Sequence, residues 1–448
     1  MPAATRKAAS LRRLLPGWAR AYERADLRPD ITAGLTTAIL LVPQGMAYAM
    51  LAGLPPIVGL YAALAPGVIY ALLGTSRQLS VAPVAMDSML VASAIAAVGP
   101  KDAGTAVVLA GALALLVGGL QLLMATLRLG ALLRLLTRPV VSGFTSAAAV
   151  LIALSQLQHL FGVRFPRVAD APSLLLALHR SLGETRPTTL AIGLLSAAAL
   201  LALRRWAPRV PGAVAVVVGS SMLALAVDAE TAGVSVVGTV PAGLPGWTWP
   251  AITGAQLQAL LPGAVTLALV GYVESISIGR AFATPRRCCP LDANRELFAL
   301  GAANLAAGVT HGYPVAGGLS RTAVHAHAGA RSQLASLVTV AGLAVVLMFL
   351  TPAFAWLPHA GLAAIVIVAV VGLIDVGALR ALWRRDRAEA AVWLVAFGAT
   401  LLVGIAWGLL SGVAVSLALR VLRRRGTDGA PEPANDDIGH DDATGVAA

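Results

Sequence analysis

Apolar residues in this chain neither alternate nor form narrow stripes; they come in long runs. "AVVLAGALALLVGGLQLLMATL" and "GLAAIVIVAVVGLI" are two of them. Runs of about 18 or more apolar residues mark transmembrane helices. An outer-membrane barrel would instead show alternating segments of about ten residues. The pattern predicts segments at 31–51, 56–73, 80–98, 105–126, 139–161, 188–204, 211–227, 257–281, 295–311, 318–331, 333–352, 361–376, 391–404 and 405–422. The expected fold is an all-α polytopic membrane protein of about 14 transmembrane segments. The last two are ambiguous, because residues 391–422 are long for one span and short for two. Gly404, Gly408 and Gly412 would allow a tight hairpin of short helices there.

Composition agrees with the pattern. Of 448 residues, 58% are hydrophobic and 12% charged, too little polar surface for a soluble protein of this size. The net charge of +12 raises the question of nucleic acid, but the arginines sit at helix ends, where positive charge sets membrane topology. With the N-terminus in the cytoplasm, the cytoplasmic loops hold Arg77; Arg128, Arg134 and Arg138; Arg204, Arg205 and Arg209; Arg286 and Arg287; Arg380, Arg384, Arg385 and Arg387; and Arg420, Arg423, Arg424 and Arg425. The outer loop 228–256 has no Lys or Arg, carries Asp228 and Glu230, and ends in "GWTW", an interfacial aromatic anchor. One outer loop breaks the rule: 162–186 contains Arg164, Arg167, Arg180 and Arg186. The balance predicts a multi-pass protein of the inner (plasma) membrane with both termini cytoplasmic, in contact with lipid and not with nucleic acid.

The expected organisation is a cytoplasmic lead-in (1–30), seven spans (31–227), an extracytoplasmic loop (228–256), seven further spans (257–422) and a cytoplasmic tail (423–448). Arg12-Arg13 is followed by Glu23, Asp26 and Asp30 rather than by an apolar region, which argues against an export signal. The tail is acidic and nearly free of large apolar residues, so it is expected to be disordered. The adjacent Cys288 and Cys289 are expected to be loop residues, forming neither a structural bridge nor a metal site. No P-loop, zinc-protease, dinucleotide or nucleophile–base signature is present, so no enzyme and no cofactor is expected, apart from a possible coupling Na+ or H+.

Two segments are short and interrupted at their start: the third, "SVAPVAMDSML", and the tenth, inside "HGYPVAGGLSRTAVHAHAGARSQL". Each is the third of its seven. Such matched interruptions point to a transporter's midplane site. A helix that starts in mid-membrane leaves N–H groups unpaired at its positive dipole end, and two facing starts make an anion site. Ser320 and Arg321 sit at the tenth start. In the first span, "LVPQGMAYAML" is expected to break at Pro43 and to supply Gln44 and Tyr48. Glu274, in "ALVGYVESISIGRAFA", is a membrane-embedded acid and a functional candidate by default, suited to a proton or to sodium.

These stretches resemble a known family. "VPQGMAYAMLAGLPPIVGLYAALAPGVIYALLGTSRQLSVAPVA", "GGLSRTAVHAHAGARSQLASLV" and "HAGLAAIVIVAVVGLIDVGALRALWR" are similar to first-, tenth- and twelfth-span motifs of the SulP anion transporters, relatives of the SLC26 proteins. The resemblance covers roughly residues 25–424. It implies a 7+7 inverted repeat with core and gate domains, elevator-like alternating access, and an anion held between the third and tenth helix starts. Carried onto matching positions, it places Gln44, Tyr48, Val84, Leu319, Ser320 and Arg321 at the anion and Glu274 at cation coupling. A homodimer is a family expectation. Two departures stand out: no STAS domain is expected after the last span, and Ala82 and Asp87 stand where the family often has glycine and a non-acidic residue.

Several residues keep two readings. Asp87, one turn after Pro83, either complements the helix dipole or joins Glu274 in coupling. Glu274 can also be a hydrogen-bonded structural acid, Tyr48 plain packing, and Arg321 a snorkelling interfacial residue. His325 and His327 are two apart, face different ways and read as packing or lining residues. Asp375 and Arg380 mark the cytoplasmic end of the twelfth span. The expected activity is secondary transport of a small inorganic anion, sulfate or bicarbonate first. A nucleobase, ascorbate or dicarboxylate carrier, or an anion channel, are the alternatives.

Overall fold

The computed structural model describes residues 16–20, 22–130, 137–163, 170–207, 210–229, 231–239, 241–283, 291–404, 408 and 411–419. Arg134, Arg164, Arg167, Arg209, Glu230, Arg286, Arg287, the Cys288–Cys289 pair and the tail 423–448 lie outside them.

Each of the fourteen expected segments falls on a described helix, but not as fourteen full spans. The chain runs α1 (Leu27–Leu51), α2 (Pro56–Leu73), β1 (Val81–Ala82), α3 (Ala85–Val98), α4 (Ala103–Thr126), α5 (Arg138–Phe161), α6 (Ala171–Ser181), α7 (Pro187–Trp206), α8 (Gly212–Ala226), α9 (Gly254–Ala281) and α10 (Ala293–Val309). It continues through β2 (Ala316–Gly317), α11 (Leu319–His327), α12 (Leu334–Val345), α13 (His359–Val371), α14 (Val376–Arg385) and α15 (Arg387–Val403), and residues 411–419 are again helical. Eight described helices are long and apolar enough to cross a membrane, and α3 and α8 are shorter apolar helices. Lipid-facing sides follow from composition: in the apolar window of α7 only 22% of residues are buried in the protein.

Three local expectations change. Pro43 does not end the first helix; it lies inside α1, which runs on to Leu51. The helix starts at Leu27 rather than 31, which places Asp30 within it and buried, with its carboxylate accepting Arg331 N (2.6 Å), Ser332 N (3.1 Å) and Ser332 Oγ (2.5 Å). The third and tenth segments are shorter than predicted. Each opens with an extended dipeptide, and its helix begins only at Ala85 or Leu319.

Those dipeptides explain the interruption. β1 pairs antiparallel with β2, Val81 opposite Gly317 and Ala82 opposite Ala316. The pairing satisfies backbone groups that no water could reach. Because the strands are antiparallel, the helices after them lead away in opposite directions with their N-termini facing. Gly317 is required at this crossing: a Cβ there would lie 2.7 Å from Leu79 Cδ1 and 3.1 Å from Ser275 Cα.

Packing divides the helices into two groups. α1–α4 pack with α9–α12, while α5, α7, α13 and α15 pack on one another. In the first group α4 and α10 meet on glycines, with Gly118 against the Gly301 carbonyl and Gly111 against that of Gly308. Small residues at such a crossing let two backbones approach within the membrane. At the far end, Gly404 (φ 115°) turns the chain, and Gly412 returns against Ala396, as a hairpin requires. Asp375 caps α14, accepting Ala378 N at 2.8 Å.

Candidate functional site

The two half-helices open onto a cavity of about 320 Å³. One wall is polar: Gln44 and Tyr48 from α1, Val84 before α3, Glu274 and Ser277 from α9, and Leu319, Ser320 and Arg321 from α11. The other wall is mostly apolar and comes from the second helix group: Val141, Ala148 and Ile152 of α5 and Ala369 and Val370 of α13, with Thr145 of α5 its one hydroxyl. All six residues carried over to the anion line this one space, as does Glu274.

Their local positions follow from the helix starts. Val84 is the N-cap of α3 and Gly318 that of α11, and neither helix has a side-chain cap. The first N–H groups of both therefore keep their donor capacity and their positive dipole ends. Leu319 and Ser320 are exposed to the cavity at the first two positions of α11. Arg321 is the third, and it is not an interfacial snorkelling residue: only 1% of it is exposed. Its guanidinium reaches back across the gap, donating from Nη1 to Pro83 O (2.7 Å) and from Nη2 to Ala82 O (3.0 Å), with Gln44 Oε1 at 3.4 Å. Its Nε has no partner. Arg321 thus ties the β1 end to the α11 start while its side chain contributes to the cavity lining. A fork of fixed geometry can do both; a point charge cannot.

Gln44 and Tyr48 are four apart on one face of α1. Gln44 Nε2 donates to Tyr48 Oη at 2.9 Å, which leaves the phenolic proton for the cavity. Tyr48 is therefore buried and hydrogen-bonded, more than plain packing. Because Pro83 precedes the N-cap, it does not occupy the first helical turn, and its role is to offer a carbonyl to Arg321.

Glu274 and Asp87 stand differently toward the cavity. Glu274 faces the cavity, and its buried Oε2 has no hydrogen-bond partner. Asp87, third in α3, is 1% exposed and does not line the cavity. Its Oδ2 lies 3.2 Å from where a Cβ on Gly271 would stand, one helical turn before Glu274, and its Oδ1 is unpartnered. The cavity therefore has one acid on its wall and a second sealed behind it. His325 is buried between Gln78 O (3.3 Å) and Thr339 Oγ1 (3.4 Å), whereas His327 is exposed, the two faces expected of them.

Sequence reasoning missed the polar struts behind the site. Ser88 Oγ meets Tyr313 Oη (3.1 Å), Asn304 bridges Gln121 (3.0 Å) and Val315, and Ser275 Oγ accepts Gly317 N (2.8 Å). Glu296 was also missed. It is buried, with Thr75 N, Thr75 Oγ1 and Ser76 N on Oε1 and Tyr70 Oη on Oε2. Amides and acids inside apolar spans were the available signal. Among the described residues no cluster of three or more His, Cys, Asp or Glu is placed to hold a metal ion.

Facing half-helix starts over a shared cavity, in a polytopic helical chain, define a membrane transporter rather than an enzyme. A sequence model described as the sulfate permease family matches residues 27–396. A probable sulfate transporter of Mycobacterium tuberculosis is 39% identical over 417 residues, covering 91% of this chain and 73% of that protein. Human solute carrier family 26 member 6 is 34% identical, covering 91% of this chain and 56% of that protein. The structure is similar to that of the murine Slc26a9 anion transporter in the inward-facing state, with TM-score 0.86 and 25% identity over 93% of this chain and 72% of that one. The chain belongs to the sulfate permease family, whose members carry anions across membranes.

Proposed function

We propose that this protein is a secondary active transporter of a small inorganic anion, with sulfate as the first substrate and bicarbonate as the second, operating in the plasma membrane with both termini cytoplasmic. One observation carries the reading: two uncapped helix starts and the Arg321 guanidinium converge on a single cavity. Anions are stabilised at such positive ends without net charge having to be buried. The named sulfate transporters among its relatives support sulfate.

The two walls support alternating access of the elevator kind. The anion is held by the first helix group, and the facing wall offers it mostly apolar side chains, with the hydroxyl of Thr145 as its polar exception. The first group can then slide over the second carrying its anion. Glu274 is the coupling residue: it is on the cavity wall, unpartnered, and able to exchange a proton or to bind a small cation. An acid beside an anion is tolerable only when neutralised, which ties the two movements together.

The experiment is uptake of labelled sulfate and bicarbonate into proteoliposomes under imposed sodium and proton gradients. Saturable uptake driven by one gradient is expected, and no uptake of any small anion overturns the proposal. Glu274→Gln should abolish gradient-driven accumulation while the protein still folds. Undiminished accumulation would remove its coupling role.

A further inference from the structure

The outer loop 162–186 carries four arginines against the topology rule, and transport as described makes no use of them. A second cavity, of about 930 Å³, is lined by Gly162, Val163, Glu184 and Arg186 at the two ends of this segment. It belongs wholly to the second helix group and the loop pairing with it: Gln158, His159 and Gly162 at the end of α5, Arg186 and Thr189 at the start of α7, Ser235, and His359 at the start of α13. It shares no residue with the transport cavity. Along α5, Ile152 of one and Gln158 of the other are six residues, or about 9 Å, apart. Along α13 and its cap the spacing from His359 to Ala369 is about 15 Å.

Donors and one acid share the lining. α7 begins at this cavity without a capping side chain, and its first residue, Pro187, has no N–H; α13 also begins here, but its first N–H, that of His359, is already bonded to Ser235 O at 3.0 Å. Arg186 is the N-cap of α7, its guanidinium steadied through Nη1 on Gly233 O. Thr189, third in α7, lines the cavity and is 3% exposed, and its buried Oγ1 has no hydrogen-bond partner. A buried hydroxyl in a membrane protein without a partner is costly, and here it stands in the first turn of α7, at that helix's positive end. The imidazoles of His159 and His359 meet edge to face at 5.8 Å on the same wall. Glu184 also lines the cavity and offsets Arg186, so the preference for an anion comes from oriented N–H and O–H groups rather than from net charge.

We propose that this cavity is a second, extracytoplasmic binding site for a small oxyanion, on the stationary helix group, where external anion gathers before it enters the transport cavity. The proposal rests on the orientation given above. Of the four arginines it takes up Arg186, and it combines the start of α7 with one buried hydroxyl at the opposite end of α5 and α13 from the transport cavity.

The test uses full-length protein and sulfate as probe. Equilibrium binding of labelled sulfate to detergent-purified protein is measured for wild type, Thr189→Val and His159→Gln. Thr189→Val is close to isosteric and leaves the Arg186 contact intact, so it separates the hydroxyl from the fold. Wild type is expected to show two classes of site, and Thr189→Val to weaken one class about tenfold, the worth of one hydrogen bond to an anion. In right-side-out proteoliposomes the KM for external sulfate rises several-fold while the KM for efflux is unchanged. One class of site in wild type, or equal changes from both sides, overturns the proposal. Because binding is read without transport, a chain that moved no sulfate would still report on this cavity.

Discussion

Arg321→Lys separates charge from geometry at the transport site. If Arg321 serves only as a positive charge, lysine should replace it. The structure says otherwise, because two nitrogens of one planar group hold two carbonyls, Pro83 O at 2.7 Å and Ala82 O at 3.0 Å. A lysine ammonium on a shorter reach can satisfy one of them. The loss is one charge-assisted hydrogen bond, worth about 1.5–3 kcal/mol, and one stranded buried carbonyl, which costs about 1–3 kcal/mol. Taking about 3 kcal/mol for the sum, an arrangement that must be held for binding is disfavoured about 100-fold. The variant is assayed as initial sulfate uptake against concentration, with thermal unfolding in the same detergent. A KM raised at least tenfold and a lowered melting temperature are expected, although the formal charge is unchanged. Wild-type KM and stability in Arg321→Lys would refute the reasoning that the fork sets the distance between the two helix starts.

Three further outcomes follow from particular contacts. Asp87→Asn should leave the anion KM within about twofold, since Asp87 is off the cavity, yet alter the pH profile of uptake; an unchanged profile would leave Asp87 only its complement to the α3 dipole. Gly118→Leu should prevent recovery of monodisperse protein by size-exclusion chromatography, because even a Cβ there comes within 2.7 Å of Gly301 O, whereas Gly119→Leu, with nothing within 4 Å of its Cβ, should behave as wild type. Glu296→Gln puts an amide donor against donors from Thr75, Ser76 or Tyr70, and should destabilise by about 2 kcal/mol while folded molecules retain uptake; equal stability would show that those bonds are dispensable.

Apolar run length and the position of prolines and glycines determined, without any tertiary information, that the chain is a polytopic helical protein. They also located the two broken segments and the residue types beside them. This was legible because in lipid every backbone group must be satisfied within its own segment, so length and interruption translate directly into helices and breaks. Gln44, Tyr48, Glu274, Ser320 and Arg321 stood out for the same reason: a polar group in an apolar run is expensive unless it is used. Val84 and Leu319 carried no such signal of their own and were reached by resemblance.

What only the tertiary structure decided is which groups those polar side chains meet. The antiparallel β1–β2 pair joins residues 81–82 to 316–317, a contact between distant parts of the chain that no local pattern encodes. From it follow the burial of Arg321, the exclusion of Pro83 from α3 and the facing of the two helix starts. Pro43 read as a break and proved to be an interior residue of α1, because neighbouring helices hold the helix on both sides of it. In the sequence Asp87 kept two readings, a complement to the helix dipole or a partner of Glu274 in coupling. The crossing of α3 on α9 puts Glu274 on the cavity wall and Asp87 behind it against Gly271. Which side of a helix meets which neighbour is set by packing across the whole fold, and for a helix apolar on every side the sequence contains no period from which to read it.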